Sequence, residues 1–317
     1  MPKETRQRLF NDDISKECGK CHEIKFNKEF RKRQGRLRSI CEKCRNDLNL
    51  VKNFQKKLKI ITENYNGECL KCRSDIVKLP VFEFHHPNPK IKSYSWKSLR
   101  GKSYINTLQC LMKDNVIVVC KNCHVLLESV SFKEFKPIIL LPSIFYNTSD
   151  EIENVINTFL QNNQFVKKKE EEFKYYKSKA KYVIKKWIKK RYIIEKLFNS
   201  KCVGCEEITV THNLPALGFH HITPCKKDII IKWDKIYKYN IQKIIDLIRN
   251  EKCICLCSNC HSILHSTSFI RNIDEVFGNK YMCLINKFRS DYNSLITNIN
   301  RYDIDQHFGD SIIKEII

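Results

Sequence analysis

No long hydrophobic run occurs in this chain, and acidic residues are scarce beside basic ones. The most apolar stretch, residues 138–146, is broken by Pro142 and falls far short of a membrane span. Residues 1–8 have no apolar stretch behind them, so no secretory signal is read. The expectation is a soluble protein with no membrane partner, intracellular, cytoplasmic or with the genome, and not secreted. Against 35 Asp and Glu stand 58 Lys and Arg, a formal charge of +23 that recurs along the chain instead of filling one tail. Such an excess points to a polyanion, and without an apolar anchor nucleic acid is favoured over a membrane surface. Solubility alone is the blander reading of the same charge. With 317 residues, 42% of them hydrophobic, the chain exceeds one ordinary domain and reads as two or three modules with several small cores.

Cysteine is the residue in excess. Of 17 cysteines, 12 fall into six Cys-x-x-Cys pairs: Cys18/Cys21, Cys41/Cys44, Cys69/Cys72, Cys120/Cys123, Cys202/Cys205 and Cys257/Cys260. Neither a random distribution nor a disulfide framework gives that regularity, which reads as zinc knuckles in a reducing interior. Two knuckles close one four-thiolate site, so about three structural Zn²⁺ are expected. Cys110, Cys225, Cys253, Cys255 and Cys283 are left over and are expected as buried free thiols. Cys-x-x-Cys-His also attaches c-type haem, and the string ends at His22, His124 and His261. A partner knuckle at zinc spacing and the lack of an export signal disfavour haem. A redox role is disfavoured because no thioredoxin-like strand-helix context surrounds the pairs.

The motifs divide the chain. Residues 1–48 form an N-terminal four-cysteine module, whose basic stretch 28–38 surrounds a turn at Gly35. Residues 49–135 and 167–267 are expected to be two copies of one unit, each with a leading helix. Residues 136–166 join them as a linker with a helix, and 268–317 form a helical C-terminal segment with Ile270, Ile273, Val276 and Phe277 at helical spacing. The first leading helix is read from Leu50, Val51, Phe54, Leu58 and Ile61. The second is read from Phe173, Tyr176, Ala180, Val183, Trp187, Tyr192 and Leu197, with Glu170, Glu171 and Glu172 suited to its N-terminus. In the linker, Ser149 or Asp150 is the expected helix cap. Each copy runs knuckle, short strand, His-His, loop, helix, strand, knuckle, helix, with strands expected at 81–84 and 116–119, then at 217–219 and 253–256. Matching spacings argue for duplication: Lys92 and Lys227 each lie six residues after a His-His pair, and Trp96 and Trp233 stand at one interval before Cys120 and Cys257.

Histidines exceed what zinc needs. Phe84-His85-His86 stands between the knuckles of the first copy and Phe219-His220-His221 between those of the second; His124 and His261 follow the last knuckles, and His265 comes one helical turn later. A helix opening after Cys260 puts His261 and His265 on one face. With His220 at the strand end they can hold one divalent cation and leave positions open, as a catalytic metal requires. His221 points differently along an extended segment and is free to act as a base. Phosphodiester hydrolysis asks for a deprotonated water and for stabilised charge on the phosphate and leaving oxygen, which a neutral histidine and one cation supply. Histidines that merely help structural zinc or cap a core are a competing reading, which the matched His-His of both copies weighs against; zinc fingers that read DNA without catalysis are another, which leaves the His-His unexplained.

At these residues the chain resembles the HNH endonuclease family. The strings are Phe219-His-His-Ile-Thr-Pro224 with Cys255-Leu-Cys-Ser-Asn-Cys-His-Ser-Ile-Leu-His265, and Phe84-His-His-Pro-Asn-Pro89 with Val119-Cys-Lys-Asn-Cys-His124. The matched regions, 65–130 and 198–267, cover a little under half of the chain. The resemblance implies an α+β fold of small zinc-stabilised modules, with two ββα-metal units joined by helices, each on a four-cysteine zinc support. It implies a metal-dependent DNA endonuclease, with RNA left open as substrate. In the second copy His220, His261 and His265 would ligate Mg²⁺ or another divalent cation and His221 would be the general base; in the first, His85 and His124 would ligate and His86 would be the base. Two departures separate the copies. Glu128 stands where the last histidine is expected, and a carboxylate can ligate a hard cation. Asn115, five residues before Cys120, takes the place of the family's central Asn, whereas Lys252 holds it in the second copy. The second unit is the firmer expectation for an active centre. One unit per strand would let a monomer cut a duplex; a first unit that binds while the second nicks is the competing arrangement. The non-enzymatic alternative is a zinc-dependent nucleic-acid-binding protein built on decayed nuclease units.

Overall fold

The structure is a computed structural model describing residues 14–146, 148–172, 175–222 and 232–304. Residues 1–8, Phe173, Thr223, Pro224, Cys225, Lys227 and the end of the C-terminal segment, 305–317, lie outside the described residues.

Short antiparallel pairs alternate with helices. Strand β1 (Ser15–Glu17) pairs with β2 (Ile24–Phe26), and β3 (Lys32–Arg33) with β4 (Arg36–Leu37). Helix α1 (Glu42–Asn64) starts inside the second knuckle with Cys41 as its N-cap and runs on through residue 48, so the N-terminal module and the first unit share it. The first unit continues through the 3-10 segment Ile76–Val81 into β5 (Phe82–His85), α2 (Trp96–Leu99), α3 (Tyr104–Lys113), β6 (Ile117–Cys120) and α4 (Lys121–Glu128). Helices α5 (Val130–Ile139), α6 (Ser149–Asn162) and α7 (Gln164–Glu172) follow. The order then repeats: α8 (Tyr176–Phe198), α9 (Val210–Asn213), the 3-10 segment Leu214–Ala216, β7 (Leu217–His221), α10 (Trp233–Ile236), α11 (Ile241–Asn250), β8 (Cys253–Cys257) and α12 (Ser258–Leu264). Helices α13 (Thr267–Arg271), α14 (Ile273–Phe277) and α15 (Met282–Arg301) complete it. This is the α+β architecture expected, with two ββα arrangements in matching register: Phe84 lies opposite Val118 and Phe219 opposite Cys255.

Several local expectations shift. Thr148, not Ser149 or Asp150, caps α6. Its hydroxyl accepts from Glu151 N at 3.3 Å while Glu151 Oε2 accepts from Thr148 N at 2.6 Å, a reciprocal capping box. Glu170, Glu171 and Glu172 finish α7 instead of opening α8. Cys253 and Cys255 are buried, but Cys110 is half-buried and Cys283 exposed. The buried stripe of α15 follows Ile285, Phe288, Leu295 and Ile299, which turns Cys283 outward.

The two copies are not beads on a tether. One core takes in Val118 and Phe132, then Ile188, Leu217 and Ile254, and the intervening segment 136–166 adds Ile138, Ile139, Ile144, Ile152, Ile156 and Leu160 to it. Helix α15 closes over the knuckle at Gly204, where an added Cβ would displace the Leu295 side chain and press on Leu256 and Cys260.

Two lysines repeat in a way that only burial reveals. Lys57 in α1 and Lys190 in α8 each precede the first knuckle cysteine of their unit by 12 residues, and both are buried. Lys57 Nζ donates to Leu79 O at 3.3 Å and to Phe82 O, and Lys190 Nζ donates to the corresponding Leu214 O at 3.3 Å. Each thus ties its leading helix to the segment that feeds the His-His strand. Burial pushes the Lys57 ammonium down to about 7 and that of Lys190 down to about 8. Because the folded values lie below the unfolded one, the unfolded chain binds more protons between about pH 7 and 10, and stability rises with pH across that window. Lys57→Met is expected to flatten the rise by on the order of 1 kcal/mol per pH unit, read from urea unfolding at a series of pH values.

Asn115 and Lys252 turn the helix of each unit into its second strand, at φ 48° and 46°. Asn adopts this left-handed conformation readily, whereas a long side chain costs about 1 kcal/mol there. Lys252→Asn is therefore expected to stabilise the protein by about that amount in thermal unfolding, and Asn115→Lys to destabilise it similarly.

Candidate metal centres

Three sets of four cysteines, Cys18/Cys21/Cys41/Cys44, Cys69/Cys72/Cys120/Cys123 and Cys202/Cys205/Cys257/Cys260, bring their sulfurs within 4.8 Å of one another. One local build serves all three. The first knuckle ends in a left-handed residue, His22, Arg73 or Glu206, whose N–H returns to the carbonyl of Cys18, Cys69 or Cys202 at 2.9 Å. The second knuckle opens a helix, with Cys41, Cys120 and Cys257 as the N-caps of α1, α4 and α12. Backbone N–H groups aim at sulfur: Cys41 N at Cys18 Sγ (3.3 Å), Cys120 N at Cys69 Sγ (3.2 Å) and Cys257 N at Cys202 Sγ (3.1 Å). Helix N-termini and such donors favour the thiolate. Hydrogen bonds from Cys120 and Cys123 hold the Cys69 thiol down to about 6. Four soft, crowded donors without a vacant place fit structural Zn²⁺. His22 joins no such set; it is exposed, with Nδ1 2.8 Å from Glu17 Oε1.

Each unit also gathers a second donor set. In the second, β7 carries His220 and α12 presents His261 and, at its C-cap, His265. The ring centres of His220 lie 5.0 Å from those of His261 and His265, which are 4.6 Å apart. One nitrogen of each falls within the 4.8 Å that a shared ion would span. Burial, then the neighbouring imidazoles, hold His220 down to about 4; burial and His265 also lower His261. Rings kept neutral in this way offer lone pairs to a cation. His261 and His265 are exposed, so the set opens to solvent. In the first unit His85, His124 and Glu128 come together, with the rings of His85 and His124 4.9 Å apart. His124 Nδ1 lies 2.7 Å from Glu83 Oε2 and its Nε2 3.2 Å from Glu128 Oε1. The hydrogen bond to Glu83 raises the pKa of His124. Gly218 takes the place of Glu83 in the second copy. Two imidazoles with carboxylates form a harder set than three imidazoles.

His86 and His221 stand outside these sets, each backed by a carboxylate that sequence reading missed. His86 Nε2 lies 3.3 Å from Asp114 Oδ2, and both side chains are nearly inaccessible, at 8% and 3% exposure. Ser93 N donates to Asp114 Oδ2 at 2.9 Å, the largest of the influences that keep this carboxyl below its usual range. Glu251 is the counterpart of Asp114. It places Oε2 3.9 Å from His221 Nε2, an atom that is buried without a hydrogen-bond partner among the described residues. The available signal was an acid directly before the left-handed turn residue in both copies.

A local two-fold relates the units. Asn122 and Asn259 hold the same position in the two last knuckles. Asn122 N donates to Asn259 Oδ1 at 3.1 Å and Asn259 N to Asn122 Oδ1 at 3.0 Å. The surrounding contacts exchange likewise, α4 packing on Leu214–Ala216 and α12 on Ile76–Val81. Such reciprocity marks an isologous interface, here inside one chain. It is not fully symmetric: Asn122 Nδ2 also donates to Cys257 Sγ at 3.4 Å. Lys121 beside it lies 3.9 Å from Glu83 Oε1 and, after burial and His265, adds to the depression of His261 in the other unit. One basic residue thus pairs with Glu83 beside the first donor set and acts on His261 in the second. No helix among the described residues is long and apolar enough to cross a membrane. No family model, curated protein or solved structure matches this chain.

Proposed function

We propose that the protein is a metal-dependent DNA endonuclease of the HNH type, with one ββα-metal centre in each of two units, 49–135 and 167–267. His220, His261 and His265 would hold a divalent cation in the second centre, and His85, His124 and Glu128 in the first. A cation there, Mg²⁺ or another, supplies Lewis-acid stabilisation of charge on the scissile phosphate and the leaving oxygen. His86 and His221 take the proton of the attacking water. With its Nε2 proton directed at Asp114, His86 presents the Nδ1 lone pair for that proton, and the carboxylate fixes this tautomer. Glu251 serves His221 in the same way, from a longer distance in the uncomplexed protein. The net charge of +23 draws in the polyanion.

The observation that carries this reading is the recurrence, in both copies, of an open donor set beside a carboxylate-backed histidine. The reciprocal Asn122–Asn259 contact supports one unit per strand, since the strands of a duplex are also related by two-fold axes. Purified zinc-loaded protein given Mg²⁺ or Mn²⁺ is expected to linearise supercoiled plasmid. Tight, salt-sensitive binding with no cleavage in any divalent metal would instead favour the zinc-dependent binding protein with decayed nuclease units.

A further inference from the structure

The N-terminal module has no histidine set of its own, and its most exposed basic feature is the ribbon formed by β3 and β4. Gln34 and Gly35 join the strands at φ 49° and 72°. Both values are positive, as a tight type I′ hairpin turn requires, so the connection is short and stiff. The register sets Arg33 directly opposite Arg36. Opposed residues share a face, and like charges so placed repel. Both arginines are exposed, and neither has a carboxylate partner among the described residues. Neighbouring charges in the module are neutralised, Arg31 by Glu42, Lys25 by Glu23 and Lys20 by Glu275. The stem is fixed: Arg38 N donates to Arg31 O at 3.0 Å, Lys16 Nζ donates to Arg38 O at 2.9 Å, and Phe30 packs among Cys18, Cys41 and Cys44. Arg38 Nε at the base is buried with no acceptor among the described residues. The ribbon thus sets two exposed arginines at one register position, a local positive charge suited to an anion.

We infer that the β3–β4 ribbon enters the major groove of B-form DNA, with Arg33 and Arg36 on its phosphates and base edges. This rests on the nucleic-acid part of the proposed function and is independent of cleavage. A two-stranded ribbon fits a major groove about 12 Å wide, whereas the deep, narrow major groove of A-form RNA does not admit it. The ribbon occurs once, while the catalytic units occur twice, so it marks one side of the target for the pseudo-symmetric pair.

Full-length zinc-loaded protein should be titrated, without added Mg²⁺, against a fluorescent DNA duplex and the RNA duplex of the same sequence over a range of salt. Wild type is expected to prefer DNA by roughly tenfold or more, and the double change Arg33→Ala and Arg36→Ala to lower DNA affinity while reducing the slope of log K against log salt by about 2. Zinc content should stay at the wild-type value. Arg36→Glu, which exchanges a repulsive pair for an attractive one, should melt at or above the wild-type temperature while still weakening DNA binding; a ribbon with no DNA contact leaves binding unchanged. Unchanged DNA affinity and slope in these variants, or equal loss on the RNA duplex, would overturn the inference alone. Wild type that binds DNA but does not cut plasmid removes the nuclease reading and leaves this one standing. Wild type that binds neither duplex removes both.

Discussion

On the proposed function, His221→Ala protein is expected to nick supercoiled plasmid where the wild type linearises it, and His86→Ala to do the same through the other strand. Loss of a general base costs about 10²–10⁴ in rate, so each variant retains one working centre and the double variant leaves the circle intact over the same interval. Neither histidine belongs to a zinc or second-metal donor set, so zinc content should hold in both variants; His86→Ala also strips the buried Asp114 of a partner and is expected to melt lower, so cleavage is compared at a temperature where both variants are folded. That separates a chemical defect from a folding one. Strand-labelled substrates identify which unit serves which strand. Linear product undiminished in the double variant would remove both histidines as bases. Nicking by the wild type itself, abolished by His221→Ala and untouched by His86→Ala, would assign the first unit to binding. Its carboxylate-richer donor set, with Glu128 and the nearby Glu83, predicts a different metal preference there, so the assay belongs in Mg²⁺, Mn²⁺ and Zn²⁺ separately.

Metal chemistry made much of this architecture legible. Coordination fixes residue type and spacing together, so the knuckles and the His220, His261 and His265 set stand out in the sequence before any fold is known, and the structure brings them together. The strands fell within a residue or two of expectation because the same motifs bracket them. What escaped has no local signature. Lys57 and Lys190 are lysines in lysine-rich helices, distinguished only by burial against carbonyls more than 20 residues away. Asp114 and Glu251 acquire meaning when a helix end returns beside the His-His strand. Asn122 and Asn259 lie in variable knuckle positions and gain their role from a partner 137 residues distant. Apolar spacing marked segment 136–166 as helical in part, but spacing tells which face is buried and not against what.

Removal of zinc is expected to unfold the two ββα units together, while loss of the N-terminal site is local. Binding to a structural thiolate site supplies about 10–16 kcal/mol, against a total folding stability of about 5–15 kcal/mol, so a strong chelator should abolish near-ultraviolet dichroism in one transition. Metal analysis before chelation should give three Zn²⁺ per chain, one for each four-cysteine set. The sites differ in what surrounds them. Cys69, Cys120, Cys202, Cys257 and Cys260 belong to the core common to both units, and Asn122 of one unit donates to Cys257 Sγ of the other. Cys18, Cys41 and Cys44 pack with Phe30, Cys21, Leu37 and Ile40 in a small core of their own. Cys260→Ser is therefore expected to lose two zinc ions and all cleavage, because the first unit's site leans on the second through the asparagine pair. Cys18→Ser should lose one zinc ion and keep protease resistance beyond α1, with cleavage falling only as DNA binding falls. Two zinc ions retained in Cys260→Ser, with the first unit still protected, would show that the units fold independently and that the reciprocal contact is a surface apposition without energetic coupling.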